Sequence, residues 1–218
     1  MDYPRDVYMS PQKAIQRFRD VLNKFGIDQV QRKSKFKQDR ELWIAATLLL
    51  GCAKANDQQY WMRPSEDVSG DIDVRAVTCT KSRTIMFHDI QITEFEGHSS
   101  ELLGIIEKKI RRLAGQKSLD LLINIRDKAG TIFDCHKIAR AVRKLNPTFL
   151  NIWFVVDDAA DQWLYHIRKV WPNIEAYNYN VETSFSTVPS SSWIKVTTRR
   201  GCSKIEYLGD QYNLPLPS

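Results

Sequence analysis

Apolar residues recur at helical spacing in the first quarter of the chain. The segment SPQKAIQRFRDVLNKFG predicts a helix that ends at Gly26. The same spacing predicts a second helix from Asp39 to about Lys54. A polar passage with proline and glycine follows, from Asn56 to Gly70, and we expect it to be a loop.

The pattern then changes to alternation. The stretch GDIDVRAVTCTKSRTIMFHDIQITEF, from Gly70 to Phe95, predicts a hairpin with its turn near Lys81 to Arg83. Beyond it, HSSELLGIIEKKIRRLAG, DCHKIARAVRKLN and AADQWLYHIRKVW predict three helices. The short apolar runs LDLLINI and FLNIWFVVD predict buried strands, and WIKVTT and SKIEYL predict a late strand pair.

The order of these elements defines the expected fold. Strand–helix–strand units that follow a hairpin predict an α/β protein with a mixed central sheet and flanking helices. We expect an N-terminal helical segment over residues 1–34, an α/β core over 35–172, and an irregular, β-rich C-terminal extension over 173–218 that packs on the core.

Composition narrows the class of protein. With 218 residues and 43% apolar content, the chain can bury one sizeable core. Its longest apolar run, WIAATLLLGCA, is too short to cross a bilayer, and the N-terminus lacks the pattern of a secretory leader. The four cysteines are scattered without metal-ligand spacing, which is typical of reduced cysteines. We therefore expect a cytoplasmic protein with no membrane partner.

The basic balance favours a polyanionic partner. The net charge is +6 and the pI about 9.1. The positive charges gather in three clusters: RKSKFKQDR at 32–40, KKIRR at 108–112 and TTRRGCSK near the C-terminus. Each could be a solvated surface, but together they favour a nucleic-acid groove.

Polar residues inside the predicted hairpin suggest a cation site. Asp73 lies at the start of the first strand, and Gln91 and Thr93 share a face of the second. Oxygen donors that converge at one end of a sheet suit a hard divalent cation. Glu41, at the start of the second helix, could supply another carboxylate.

These residues carry a resemblance to the PD-(D/E)XK nuclease superfamily, in its branch of Mrr-like restriction endonucleases and Holliday-junction resolvases. The matching pieces are ELWIAATLLLG, GDIDVRA and IQITEF. The resemblance implies a restriction-endonuclease-like core, with Asp73 and Gln91 as ligands of Mg²⁺ or Mn²⁺ and Glu41 as an auxiliary ligand. Where the family has its catalytic lysine, this chain has Thr93. We expect Lys108 or Lys109, on the following helix, to supply the missing cation.

Simpler roles remain open for the same residues. Asp71 and Asp73 could pair with Arg63 or Arg75, and Asp89 with Lys81 or Arg83. Gln91 could be a buried side chain satisfied by the backbone, and Glu41 could favour the helix dipole. Trp61 could be a core residue or could stack on a base.

The resemblance implies a metal-dependent DNA endonuclease or exonuclease that hydrolyses phosphodiester bonds, in restriction, repair or mobile-element biology. The departure at Thr93 favours an alternative, a catalytically inactive nuclease-like fold that binds DNA or docks a protein. For either function, a homodimer or a larger assembly is compatible with the sequence.

Overall fold

The fold is taken from a computed structural model of the protein. The structure describes residues 4–67, 69–80, 84–116, 118–126, 133–157, 164–184, 192–199, 201–210 and 212. The predicted hairpin turn, Lys81 to Arg83, lies outside the described residues.

The helices follow the apolar periodicity of the sequence closely. The described helices are α1 (Pro11–Phe25), α2 (Ile27–Arg32), α3 (Lys37–Asn56), α4 (Ser99–Arg112), α5 (Cys135–Leu145) and α6 (Val181–Ser184). Ser10 caps α1 because its side chain accepts a hydrogen bond from the Lys13 backbone N–H at 3.2 Å. The four long helices match the four segments that the sequence predicts at these places.

The strands form one mixed sheet. They are β1 (Val7–Met9), β2 (Gln59–Pro64), β3 (Val74–Cys79), β4 (Ile85–Phe95), β5 (Leu119–Ile125), β6 (Asn151–Asp157), β7 (Leu164–Trp171), β8 (Glu175–Asn180), β9 (Trp193–Arg199) and β10 (Cys202–Tyr207). Their order across the sheet is β10-β9-β1-β2-β3-β4-β5-β6-β7-β8. The β4–β5 and β5–β6 pairs are parallel and the others are antiparallel. The predicted mixed α/β class and β-rich C-terminal part are thus confirmed.

Two helical layers cover opposite faces of this sheet. Leu122 packs in one cluster with side chains of α1 and α3, whereas Leu121 and Ile123 pack with side chains of α4 and α5. Because neighbouring strand residues point to opposite faces, α1 and α3 lie on one side and α4 and α5 on the other. Strands from all three predicted segments join the same sheet.

The last predicted helix is wrong. Within AADQWLYHIRKVW, residues 164–171 form β7, which pairs with β6 and β8, and residues 159–163 lie outside the described residues. Tyr165 and Ile167 are buried and alternate with more exposed neighbours. Aromatic and β-branched residues at alternate positions suit a strand between two others, and this outweighs the helical spacing.

The expected loop from Asn56 to Gly70 also needs correction, because it contains β2. The tryptophan of this strand, Trp61, is fully buried with Tyr8 and Val77. It is therefore a core residue, and the prediction that it could stack on a base is wrong. No helix within the described ranges has the length and apolar character needed to cross a membrane.

Gly51, a glycine within α3, tests how closely this helix packs on β7 and β8. A Cβ at Gly51 would lie 2.8 Å from Tyr179 Cε1 and closer still to Ile167 Cδ1. We expect Gly51→Ala to lower the free energy of unfolding by about 1–3 kcal/mol through overpacking. Gly104 of α4 is the control, because a Cβ there meets nothing within 4 Å. Gly104→Ala should raise stability by up to about 1 kcal/mol. Urea unfolding of both variants measures this, and equal effects would contradict the packing.

Candidate functional site

The candidate site lies where two strands of the sheet separate. The pairing of β3 with β4 ends at Val74 and Ile90, while β4 continues to Phe95 beside β5 alone. Asp73 is the first residue past this end, and its backbone N–H donates to the Ile90 carbonyl at 2.9 Å. We call this opening, between Asp73 and Gln91–Phe95 of β4, the fork.

Asp73 takes the place of the missing strand at the fork. Its Oδ2 accepts a hydrogen bond from the Ile92 backbone N–H at 2.7 Å and another from Gln91 Nε2. A buried backbone N–H without an acceptor costs about 1–3 kcal/mol, so the carboxylate has a structural role here. Its other oxygen, Oδ1, points towards α3 and contacts the Lys37 ammonium at 3.6 Å.

Gln91 is buried beside this carboxylate, with 4% of its surface exposed. Its Nε2 donates to Asp73 and, at 3.1 Å, to the Ile92 carbonyl. Its Oε1 is buried and has no hydrogen-bond partner among the described residues, and the same is true of the Thr93 hydroxyl. Two acceptor oxygens are therefore left unused on the same strand.

Helix α3 brings a carboxylate and an ammonium to the fork. Lys37 and Glu41 are one helical turn apart, and Lys37 Nζ lies 3.1 Å from Glu41 Oε1. The same Nζ contacts Asp73 Oδ1, so Lys37 bridges the two carboxylates. Lys37 was not among the predicted site residues, because the predicted helix begins at Asp39 whereas α3 begins at Lys37. The spacing of Lys37 and Glu41 is the signal that could have revealed it.

The carboxylate pair sets the electrostatics of the site. Burial, and next the negative charge of Asp73, raise the pKa of Glu41 to about 7, although Lys37 opposes the shift. Burial lowers the pKa of Lys37, but its hydrogen bond to Glu41 and the charges of both carboxylates outweigh burial and raise it. The site thus holds one firmly charged ammonium and one carboxyl group that titrates near neutral pH.

Helix α4 contributes a second ammonium from the other face of the sheet. Lys109 is half-buried, and burial followed by the charge of Arg112 lowers its pKa, while Asp73 and Asp71 oppose the shift. Lys108, its neighbour, is exposed. Of the two lysines predicted to replace the motif lysine, Lys109 is the one whose charge interacts with Asp73.

The other acidic residues of the hairpin have partners of their own. Arg112 Nη2 donates to Asp71 Oδ1 at 2.7 Å, and Arg75 holds both oxygens of Asp89 at 2.6 and 3.0 Å. Asp71 therefore pairs with an arginine of α4, and not with Arg63 of β2 or Arg75 of β3 as predicted. The proposed partners of Asp89, Lys81 and Arg83, lie outside the described residues.

The residues present fit a hard divalent cation. Glu41, Asp73 Oδ1 and the unused Gln91 Oε1 are oxygen donors of the kind that Mg²⁺ and Mn²⁺ prefer. In the part of the chain that the structure describes, no three His, Cys, Asp or Glu side chains form a metal-binding group. Gln91, the third oxygen donor, carries an amide and therefore does not belong to those four residue types.

Comparisons with known proteins add nothing to this geometry: no protein-family model matches the chain, and a search of curated proteins finds no match.

The raised pKa of Glu41 predicts how the free energy of unfolding changes with pH in metal-free buffer. On folding, the pKa of Glu41 rises from 4.5 to about 7, so the folded state binds this proton more tightly than the unfolded state does. The stability that this binding contributes is fully present below pH 4.5 and is lost as the pH rises to about 7. We expect Glu41→Gln to stabilise the protein at pH 8 and to change little near pH 4.5. The free energy of unfolding at several pH values measures this.

Glu107→Gln is the control for this experiment, because Glu107 is on the surface of α4 and its nearest cation is Arg111 at 4.0 Å. The control should show no such change between the two pH values. A Glu41→Gln effect that is equal at both pH values would contradict the assigned shift.

Proposed function

We propose that the protein is a metal-dependent nuclease that hydrolyses phosphodiester bonds of DNA, with the fork as its active site. The observation that carries the proposal is the set of contacts at the end of β3, where Asp73 contacts both Gln91 and Lys37, and Lys37 in turn contacts Glu41. The restriction-endonuclease-like core and a cytoplasmic location belong to the same proposal.

Glu41, Asp73 and Gln91 would hold the metal ion through oxygen atoms. A bound Mg²⁺ or Mn²⁺ would polarise the scissile phosphate and lower the pKa of a coordinated water. Asp73 is positioned for this by the backbone of β4, since its Oδ2 is fixed by Ile92 and Gln91 while Oδ1 stays directed at α3. The strand therefore orients the ligand before any ion arrives.

Lys37 is the best candidate for the cation that Thr93 does not supply. It already lies 3.6 Å from Asp73 Oδ1, on an exposed side chain that can turn towards solvent. With Glu41 and Asp73 engaged as metal ligands, the Lys37 ammonium would be free to contact a phosphate oxygen. Phosphoryl transfer gathers negative charge on those oxygens, so a positioned ammonium stabilises the transition state. Lys109 is the second candidate, from the opposite side of the fork.

One observation favours the non-catalytic alternative. The Lys37 ammonium, Gln91 Nε2 and the Ile92 N–H together satisfy Asp73 without any metal. A site that is complete in this way can persist for structural reasons in a module that binds DNA or a protein. Metal binding and cleavage separate the two functions.

The first test concerns the metal. We expect one Mn²⁺ to bind per chain, and Asp73→Asn to weaken that binding at least tenfold because it removes a charged ligand. Asparagine keeps an oxygen that can accept the Ile92 N–H, so the fold should persist. Asp89→Asn is the matched control, since Asp89 lies on β4 but is held by Arg75. Calorimetric titration measures both, and equal loss in the two variants would contradict the site.

The second test concerns the cation. We expect Lys37→Ala to lower the cleavage rate about 10²–10³-fold, with a smaller loss for Lys109→Ala. Lys108→Ala is the control, because Lys108 is the exposed neighbour of Lys109 on α4. Cleavage of labelled DNA with Mg²⁺ or Mn²⁺, with and without chelator, provides the rates.

Wild-type protein that binds DNA but cuts none with either metal would favour the non-catalytic alternative. Cleavage that survives in Lys37→Ala would place the stabilising cation elsewhere. Thr93→Lys, which restores the residue of the resembled family, should raise the rate if the fork is the active site.

A further inference from the structure

Helix α5 carries an unusual excess of positive charge. Its eleven residues, CHKIARAVRKL, contain four cations and no carboxylate: Lys137, Arg140, Arg143 and Lys144. All four are exposed. Within the described ranges none of them forms an ion pair, whereas on α3 and α4 Lys37 and Arg111 each lie next to a glutamate of their own helix.

This charge pattern works against the helix. Arg140 lies three or four positions from Lys137, Arg143 and Lys144, and like charges at these spacings destabilise a helix by about 0.2–0.5 kcal/mol per pair. Asp134, at the N-cap, gives partial relief, because its carboxylate accepts a hydrogen bond from the Lys137 backbone N–H at 2.9 Å and interacts with the charge of Arg140. A polyanion bound along α5 would remove this repulsion.

The dipole of α5 explains only part of the pattern. Arg143 and Lys144 are in the last turn, where cations interact favourably with the helix C-terminus. Lys137 lies in the first turn, where the dipole disfavours positive charge, and Arg140 lies at the centre of the helix, where the dipole has little effect. The dipole therefore does not account for either of these two cations.

The outward side of α5 also has a shaped surface. His136, Arg140 and Arg143 fall on one side of the helix and, with Ala139 and Ile174, line an open groove of about 340 Å³. Ala139 leaves room between the longer side chains, and Ile174, which is 37% exposed, adds an apolar wall. The groove thus offers two guanidinium groups and an imidazole beside a small apolar surface.

We propose that the groove along α5 binds the phosphodiester backbone of a nucleic acid. Guanidinium groups donate paired hydrogen bonds that match phosphate oxygens, and the apolar wall suits a sugar. The inference rests on the proposed function for the kind of polyanion, because α5 packs beside α4, whose Lys109 interacts with the fork. The groove would then add to the affinity of the protein for its nucleic acid.

The experiment measures binding of duplex DNA to the full-length protein in chelator, where cleavage is blocked. Neutralising both arginines, as Arg140→Gln with Arg143→Gln, should weaken binding at least tenfold at moderate salt. It should also reduce the slope of log affinity against log salt by about 2, because about one counterion is released for each phosphate contact. The Lys24→Gln and Lys54→Gln pair removes the same charge from exposed positions on α1 and α3, outside the three basic clusters, and should leave the slope nearly unchanged.

Misfolding is excluded by a second measurement on the same variants. Removing Arg140 and Arg143 eliminates like-charge pairs, so the double variant should be at least as stable to urea as the wild type. An unchanged salt slope, or an equal loss in the Lys24 and Lys54 control, would overturn the proposal.

The same assay separates this proposal from the proposed function. Wild-type protein that binds DNA through α5 but never cleaves it with Mg²⁺ or Mn²⁺ supports the groove and argues against a nuclease. Cleavage with normal binding in the α5 double variant argues against the groove and leaves the nuclease intact. A matched RNA duplex in parallel shows which backbone the groove prefers.

Discussion

The hydrogen bonds from the Ile92 backbone and Gln91 to one oxygen of Asp73 are the interaction on which the site depends. A sheet that divides must leave backbone groups without partners, and here a side-chain carboxylate replaces the departing strand. That solution buries a charge, whose cost must be offset by nearby donors and cations. Lys37 and Gln91 meet this need, and Glu41 approaches because Lys37 holds it. The chemical character of the fork thus follows from a structural demand of the sheet.

The sequence predicted the elements whose patterns were unambiguous. Long amphipathic segments predicted α1, α4 and α5, a largely apolar segment predicted α3, and continuous apolar runs predicted β5 and β6. The failure at β7 has a specific cause. The apolar residues of LYHIRKVW fit both the helical and the strand period, and only the pairing of this segment with β6 and β8 makes it a strand. Strand β2 was missed for a similar reason, because its polar and proline residues resemble a loop until β1 and β3 flank it.

The site was predictable to the extent that it is local. Asp73 and Gln91 lie on one hairpin, so alternation and antiparallel pairing place them near each other. Glu41 was a candidate because of its place at the start of a predicted helix, and its distance from Asp73 depends on how α3 packs against the sheet. Lys37 depends on where α3 begins, and helix ends are poorly defined by apolar periodicity. Partners such as Arg112 for Asp71 come from a distant helix and follow only from the tertiary fold.

Charge is divided between the fork and α5. At the fork, two carboxylates face Lys37 and Lys109, and Asp71 is matched by Arg112, so the local charge is close to balanced. A balanced site attracts a polyanion only weakly. Helix α5 has four exposed cations and no carboxylate of its own, so its attraction reaches further into solvent. The net charge of +6 is therefore unevenly distributed, and the nucleic acid proposed to bind at α5 would meet an attraction there that the fork does not supply.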